Sequence, residues 1–142
     1  MANSESPRLG IITSQTNYDH TYLMEKRALE HAEFLGCKVV VQAYVPGVYD
    51  MPLIIKAILK REDVDAVVTL GTIIKGESDH DQLIASQVAR KITDLSLKYE
   101  KPVALGISGP GLTMMQSKAR IESFATKAVE AAVKLFRQVA KL

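Results

Sequence analysis

The sequence predicts an α/β protein of three layers, in which helices cover both faces of a parallel sheet. Four short apolar runs, rich in valine and isoleucine, alternate with segments whose apolar residues recur every three or four positions. Runs that are apolar at nearly every position are typical of parallel strands buried on both faces. The repeated strand–helix order implies right-handed crossovers and therefore one parallel sheet.

Each of the four predicted strands is followed by a polar or glycine-containing segment. The strands cover residues 9–13, 39–45, 64–70 and 103–107. Asp65 is the one charged residue in the third run, and we expect all four strands to be buried. We expect a flavodoxin-like, four-stranded parallel sheet with the spatial order 2-1-3-4.

The predicted helices follow the strands in turn, at residues 19–35, 52–61, 79–99 and 113–142. In the first, Leu23, Ala28 and Leu35 form the expected apolar stripe. Pro52 suits the first turn of the second helix, and Pro102 marks the end of the third. The last segment could comprise two helices.

Length and composition indicate a single globular domain. The chain has 142 residues, 24% of them charged, and a formal net charge of +2, which gives no electrostatic case for nucleic acid or a membrane. The single cysteine, Cys37, is expected to be a buried apolar residue, and no apolar signal segment begins the chain, so we expect a cytoplasmic protein. Residues 1–7 are expected to be a flexible or partner-bound tail, and residues 8–142 the domain.

The predicted ligand site lies at the carboxyl ends of the strands, where open parallel sheets bind their ligands. Four loops meet this condition, at residues 14–17, 46–50, 71–80 and 108–111. They hold many of the glycines and much of the uncharged polar chemistry. We therefore expect these loops to form the site.

The stretch GTIIKGESDH, residues 71–80, has the composition of an anion-binding loop. It lacks the ending of a P-loop, but the amides of Glu77 and Ser78 would precede a helix N-terminus, with the Ser78 hydroxyl available as a ligand. The alternative is an ordinary helix cap made by Ser78 or Asp79.

The histidines differ in their expected roles. His80, in the first turn of the third helix, could shuttle protons near pH 7, or it could be a surface histidine with no role. His31 is expected to be structural and His20 exposed. A metal site built from Glu77, Asp79, His80 and Asp81 is disfavoured, because consecutive positions splay around a helical turn; we expect no metal.

The second loop, VPGVYDMP, combines a glycine turn with an aromatic ring and a carboxylate. Its backbone amides could hold a planar polar ring, with Asp50 accepting hydrogen bonds from hydroxyl groups. The alternative is that Tyr49 packs in the core and Asp50 caps the next helix.

Taken together, the segments GIITSQTN, VPGVYDMP, LGTIIKGESDHD and KPVALGISGPG resemble the lumazine synthase family, particularly its archaeal members. The likeness covers nearly the whole chain. It implies the penultimate step of riboflavin biosynthesis, without a cofactor: 5-amino-6-(D-ribitylamino)uracil condenses with 3,4-dihydroxy-2-butanone 4-phosphate to 6,7-dimethyl-8-ribityllumazine, phosphate and water.

The resemblance also implies roles for individual residues. His80 matches the family's proton-transfer histidine. The phosphate-binding positions are Glu77, Ser78 and Arg120, and the substrate-binding positions are Val48, Tyr49, Asp50, Ile73, Ile74 and Lys127. For the two basic residues the alternative is a solvated charge on a helix surface.

Two positions depart from the family pattern. Thr16 stands where many members place an aromatic ring that stacks on the pyrimidine, and Leu105 stands where some carry phenylalanine. Both changes reduce the aromatic contacts expected for the substrate.

The resemblance further implies a homo-oligomer built from pentamers, with sites between neighbouring subunits; some members form a shell of about 60 subunits. Two other functions stay open from the sequence. One is an archaeal-type riboflavin synthase, which shares the fold, and the other is a non-catalytic flavin-binding shell protein.

Overall fold

The computed structural model describes residues 6–76 and 80–142. Its core is a four-stranded parallel sheet with the order β2-β1-β3-β4, as predicted. The predicted three-layer α/β class and the strand order are therefore confirmed. The strands are β1 (Leu9–Ser14), β2 (Val39–Val45), β3 (Ala66–Ile74) and β4 (Val103–Leu112).

Helices cover both faces of the sheet. The first and last long helices pack together on one face, and the two middle helices pack on the other. The last predicted helical segment is two helices, which meet at Arg120. The helices are α1 (Tyr18–Phe34), α2 (Met51–Leu59), α3 (Asp81–Tyr99), α4 (Met114–Ala119) and α5 (Ile121–Lys141), and a 3-10 turn spans Val48–Asp50. Within the described ranges, no helix is both long and apolar enough to cross a membrane.

Burial follows the position of each strand in the sheet. Every residue of β1 and β3, the central strands, is buried. The prediction that all four strands are buried is wrong for the other two strands, because in β2 only Val45 is buried and in β4 Leu105 is 53% exposed. The reason is the strand order, which places β2 and β4 at the edges of the sheet.

The buried face of α1 also differs from the prediction. His20, expected to be exposed, is only 5% exposed, whereas Leu23 is 45% exposed. The buried series runs through positions 20, 24, 28 and 32 at a spacing of four residues, which places these side chains on one face. His31, as expected, has a structural contact, because its Nε2 lies 2.9 Å from Glu130 Oε1 on α5.

Arg8 and Asp65 join the beginnings of the two central strands. The Asp65 carboxylate accepts hydrogen bonds from the Arg8 backbone N–H at 2.7 Å and from its guanidinium at 3.0 and 3.1 Å. Burial acts to raise the pKa of Asp65, but the hydrogen bonds and positive charge of Arg8 outweigh burial and hold that pKa below its usual value. The third strand begins directly after this contact, at Ala66 and not at Val64 as predicted.

The ends of β3 and β4 lie further along the chain than predicted. The last pair between β1 and β3 is Thr13 with Leu70, but β3 continues to pair with β4 through Ile74 and Leu112. Residues 71–74 and 107–112 thus form a two-stranded ribbon, here called the β3–β4 ribbon. The prediction that residues 71–74 and 108–111 are loops is wrong, because each segment supplies backbone hydrogen-bond partners for the other.

The packing of β4 against β3 and α5 predicts a large cost for any side chain at position 106. An added Cβ at Gly106 would overlap the carbonyl oxygen of Thr69 and lie 2.9 Å from Ala128 Cβ. We expect Gly106→Ala to lower the free energy of unfolding by about 3 kcal/mol or more in urea denaturation. Gly47→Ala is the control, since its new Cβ would meet nothing closer than 3.5 Å. Equal unfolding midpoints for the two variants would contradict this packing.

Candidate active site

A cleft opens at the carboxyl ends of the strands, between the first two loops and the β3–β4 ribbon. Its volume is about 140 Å³. Five residues that the resemblance assigns to the substrate site line it, although they come from three separate segments of the chain. Its lining comprises Thr16, Asn17, Gly47, Val48, Tyr49, Thr72, Ile73, Ile74, Asp81 and Ile84.

The first loop is tied to the second by Thr16. The Thr16 hydroxyl donates a hydrogen bond to the carbonyl oxygen of Pro46 at 2.8 Å, and the Gln15 N–H donates to the Val45 carbonyl at the same distance. Asn17 then begins α1 from a left-handed backbone conformation, with φ 58°. These contacts hold the edge of the cleft in place from both loops.

The second loop is closed by Asp50. Its carboxylate accepts a hydrogen bond from the Gly47 N–H at 3.0 Å, and the Asp50 N–H donates to the Gly47 carbonyl at 3.0 Å. Asp50 makes no side-chain cap on α2, and Tyr49 is 65% exposed, so the alternative of a helix cap and a core tyrosine is wrong. The turn back to Gly47 is the physical reason, because the Asp50 carboxylate is taken up by the Gly47 N–H and does not reach the first turn of α2.

Close packing sets the distance between the second loop and the sheet. Val48 is buried against β3 at Gly71, where an added Cβ would lie 2.8 Å from Val48 Cγ2. Only glycine allows this approach. Ile73 and Ile74 follow on the β3–β4 ribbon, and both are buried where they form the wall of the cleft.

His80 lies at the beginning of α3, next to the cleft-lining residue Asp81. Its carbonyl oxygen accepts a hydrogen bond from the Ile84 N–H at 2.8 Å, and its side chain is exposed. Glu77 and Ser78, the predicted phosphate-binding loop, lie outside the described residues, and so does Asp79. In the part of the chain that the structure describes, no three histidine, cysteine, aspartate or glutamate side chains lie close enough to hold a metal ion.

Three predicted site residues come from β4, from the junction of α4 and α5, and from α5. Leu105, 53% exposed, lines a second depression with Gly109 and Pro110, which adjoins the cleft at Val48 and Ile73. Arg120 lies at the junction of α4 and α5, and Lys127 on α5; both are exposed. None of these three is among the described residues that line the cleft, and neither is Asp50, which lines a separate depression with Tyr49.

Glu25 is a buried carboxylate that contacts the first two strands. Glu25 on α1 is 6% exposed and accepts a hydrogen bond from the Thr13 hydroxyl at 3.4 Å. Its hydrogen bond with Tyr44 on β2, aided by burial and by its negative charge, raises the pKa of Tyr44 to about 12. Tyr44 therefore stays a neutral hydroxyl at physiological pH.

Sequence reasoning missed several residues that line the cleft, including Thr72 and Ile84. A signal for Ile84 was present, because it follows His80 by one helical turn and so lies on the same side of α3. No comparable signal marked Thr72, since every residue of β3 is buried and alternation along the strand is absent.

Comparison with known proteins gives a consistent family assignment. The sequence model of the 6,7-dimethyl-8-ribityllumazine synthase family matches residues 6–140. A 6,7-dimethyl-8-ribityllumazine synthase from Methanococcus aeolicus is 55% identical over 132 residues, covering 93% of this chain and 96% of the relative. Enzymes of the same name from Sulfolobus acidocaldarius and Saccharolobus solfataricus are 54% and 56% identical, covering 100% and 97% of this chain and 90% of each relative. The chain therefore belongs to the 6,7-dimethyl-8-ribityllumazine synthase family.

Proposed function

We propose that this chain catalyses the lumazine synthase step of riboflavin biosynthesis. It condenses 5-amino-6-(D-ribitylamino)uracil with 3,4-dihydroxy-2-butanone 4-phosphate to give 6,7-dimethyl-8-ribityllumazine, phosphate and water. The observation that supports this most directly is the convergence of Thr16, Val48, Tyr49 and the pair Ile73–Ile74 in one cleft. The relatives that carry this enzyme name match nearly the whole chain.

The reaction needs orientation and proton transfer more than a strong nucleophile from the protein. An amine of the pyrimidine attacks the ketone to form an imine, phosphate is eliminated, and the second amine closes the ring. Each of the two amine–carbonyl condensations releases one water. A site that holds both substrates in contact and moves protons between them therefore supplies most of the acceleration.

The described residues suit these tasks. Ile73, Ile74 and Val48 offer an apolar wall for one face of the pyrimidine, and the exposed Tyr49 ring lies in the same cleft. The ribityl chain would lie along the second loop, where hydroxyl groups can meet backbone amides and Asp50. His80, at the beginning of α3, is the proposed proton-transfer group, because a neutral imidazole both accepts and donates protons near pH 7.

The phosphate of the second substrate is assigned to Glu77, Ser78 and Arg120. The first two would donate backbone amides and a hydroxyl at the start of α3, and a guanidinium binds phosphate through two parallel hydrogen bonds. We assign Lys127 a further contact with substrate, and Leu105 an apolar contact in place of an aromatic ring. The cytoplasmic location expected from the sequence stays a prediction.

We further propose that the site is completed by a neighbouring subunit in a pentamer. The cleft measures about 140 Å³, whereas small-molecule sites usually enclose about 300 Å³ or more, and neither Arg120 nor Lys127 lines it or the adjoining depression at Leu105. Light scattering should give a mass of five chains of 15.6 kDa, or a multiple of it; an active monomer would contradict this arrangement.

The proposed reaction is tested by mixing the purified chain with its two substrates. We expect the lumazine chromophore to develop and one phosphate to be released for each lumazine formed. The rival activity is examined in a parallel reaction, in which added 6,7-dimethyl-8-ribityllumazine is the only substrate. Riboflavin formed there, with no lumazine formed from the two precursors, would favour a riboflavin synthase instead. Binding of lumazine without turnover in either reaction would favour a non-catalytic flavin-binding protein.

Two variants separate the proposed proton-transfer and phosphate-binding roles. His80→Ala should lower kcat by about tenfold or more while a substrate analogue still binds, since general acid–base catalysis is lost and contact area is retained. Arg120→Ala should raise KM for the phosphorylated substrate by about tenfold to a hundredfold, with little effect on KM for the pyrimidine. Arg90→Ala, which removes an exposed cation from α3, is the control. Unchanged kinetics in both test variants would refute these assignments.

A further inference from the structure

Four polar side chains form a continuous hydrogen-bonded chain behind the cleft. Ser108 Oγ lies 3.1 Å from Thr72 Oγ1, which lies 2.7 Å from Ser117 Oγ, which lies 2.8 Å from His20 Nδ1. Each of these residues is 5% exposed or less. The chain joins β4, β3, α4 and α1, and its second member, Thr72, also lines the cleft.

One direction of donation satisfies every hydroxyl hydrogen in this chain. Ser108 donates to Thr72, Thr72 donates to Ser117, and Ser117 then donates to Nδ1 of a neutral His20. This direction of donation corresponds to the tautomer of His20 with its N–H at Nε2, the ring nitrogen that faces the Asp19 carboxylate at 3.7 Å. Because each buried group has a partner, removing any member leaves another without one.

Helix α4 contacts α1 and β3 through the Ser117 hydroxyl of this hydrogen-bonded series. Among its six residues, all of which the structure describes, Ser117 alone is buried, and Met114 and Met115 are 50% and 82% exposed. The cap between Thr113 and Gln116 stabilises the first turn of α4, but it lies within the helix and does not tie it to the sheet. The Ser117 hydroxyl is therefore the buried side-chain contact of α4, beside the backbone connections to β4 through Thr113 and to α5 through Arg120.

Arg120 ends α4, three residues after Ser117. Its N–H donates a hydrogen bond to the Ser117 carbonyl at 3.1 Å, and its own carbonyl accepts from Phe124 at the first turn of α5. The backbone position of Arg120 is thus set by Ser117 on one side and by α5 on the other. A shift of α4 would move the guanidinium with it.

We propose that Ser117, held by His20 and Thr72, is the positioning residue for Arg120. This inference rests on the proposed function, in which Arg120 binds the phosphate of the second substrate. Ser117 does not contact substrate in this scheme. It acts by holding α4 so that the guanidinium meets the phosphate without first having to be ordered, which improves binding of that substrate alone.

The test compares variants that break the chain with one that removes an unrelated buried hydroxyl. Ser117→Ala and His20→Leu should each raise KM for the phosphorylated substrate by about tenfold, with less than about twofold change in KM for the pyrimidine. The same variants should speed amide hydrogen exchange in residues 114–120 by about tenfold. Thr69→Val is the matched control: its hydroxyl lies on β3 and bonds to Ala104 and Gly106 on β4, away from α4, so neither quantity should change.

Rescue separates positioning from a general loss of packing. His20→Asn places an amide near the position of Nδ1 and can bond to Ser117, so its KM and exchange rates should lie close to those of the unmodified chain. A rise of both KM values together, a Thr69→Val effect equal to that of Ser117→Ala, or failure of His20→Asn to restore KM would overturn the proposal. The two His20 variants provide this test even where Ser117→Ala does not fold.

The failure of the proposed function would be distinguishable from the failure of this inference. If the unmodified chain forms no lumazine, the proposed function fails, and binding of inorganic phosphate by calorimetry replaces KM as the measurement. Two results would support positioning of Arg120. Ser117→Ala would bind phosphate about tenfold more weakly than the unmodified chain, and His20→Asn would recover the affinity that His20→Leu loses. Equal phosphate affinity in all variants, or no phosphate binding by the unmodified chain, would overturn it.

Discussion

Beyond Leu70, β3 no longer has β1 beside it and forms hydrogen bonds with β4 alone. The candidate site depends on this pairing. Because the β3–β4 ribbon continues past the end of the sheet, Ile73 and Ile74 rise above the other strand ends and face the loops that follow β1 and β2. Had β3 ended with β1, those side chains would lie in an unpaired loop, and the cleft would lack its wall.

The loops meet this wall through two short contacts. Gly71 lets Val48 pack directly on β3, and the Thr16 hydroxyl ties the first loop to the carbonyl of Pro46. The Thr16 side chain therefore fixes the distance between two loops, and the aromatic ring that lines the cleft is Tyr49 from the second loop.

The parts of this fold that sequence reasoning predicted are those governed by local pattern. Alternating apolar runs and helical stripes predicted the sheet order, because strand–helix alternation permits few topologies. The ends of β3 and β4 could not be predicted, since glycines such as Gly71 and Gly109 are common in turns, and only the pairing of the two segments with each other places them in the sheet. His20 was placed wrongly, although its spacing from Met24 indicated the buried face. Its partner Ser117 is 97 positions away, and no local pattern links two residues at that separation.

The attachment of α4 shows why a polar contact can suit a positioning role better than an apolar one. Apolar burial is roughly proportional to area and tolerates small shifts, because a helix that slides or rotates on a smooth surface buries nearly the same area. A hydrogen bond weakens steeply when its angle or length changes. Since Ser117 bonds to His20 on α1 and to Thr72 on β3, a displacement of α4 in either direction lengthens at least one of these bonds. The helix is therefore held at one position, and Arg120 at its end is held with it.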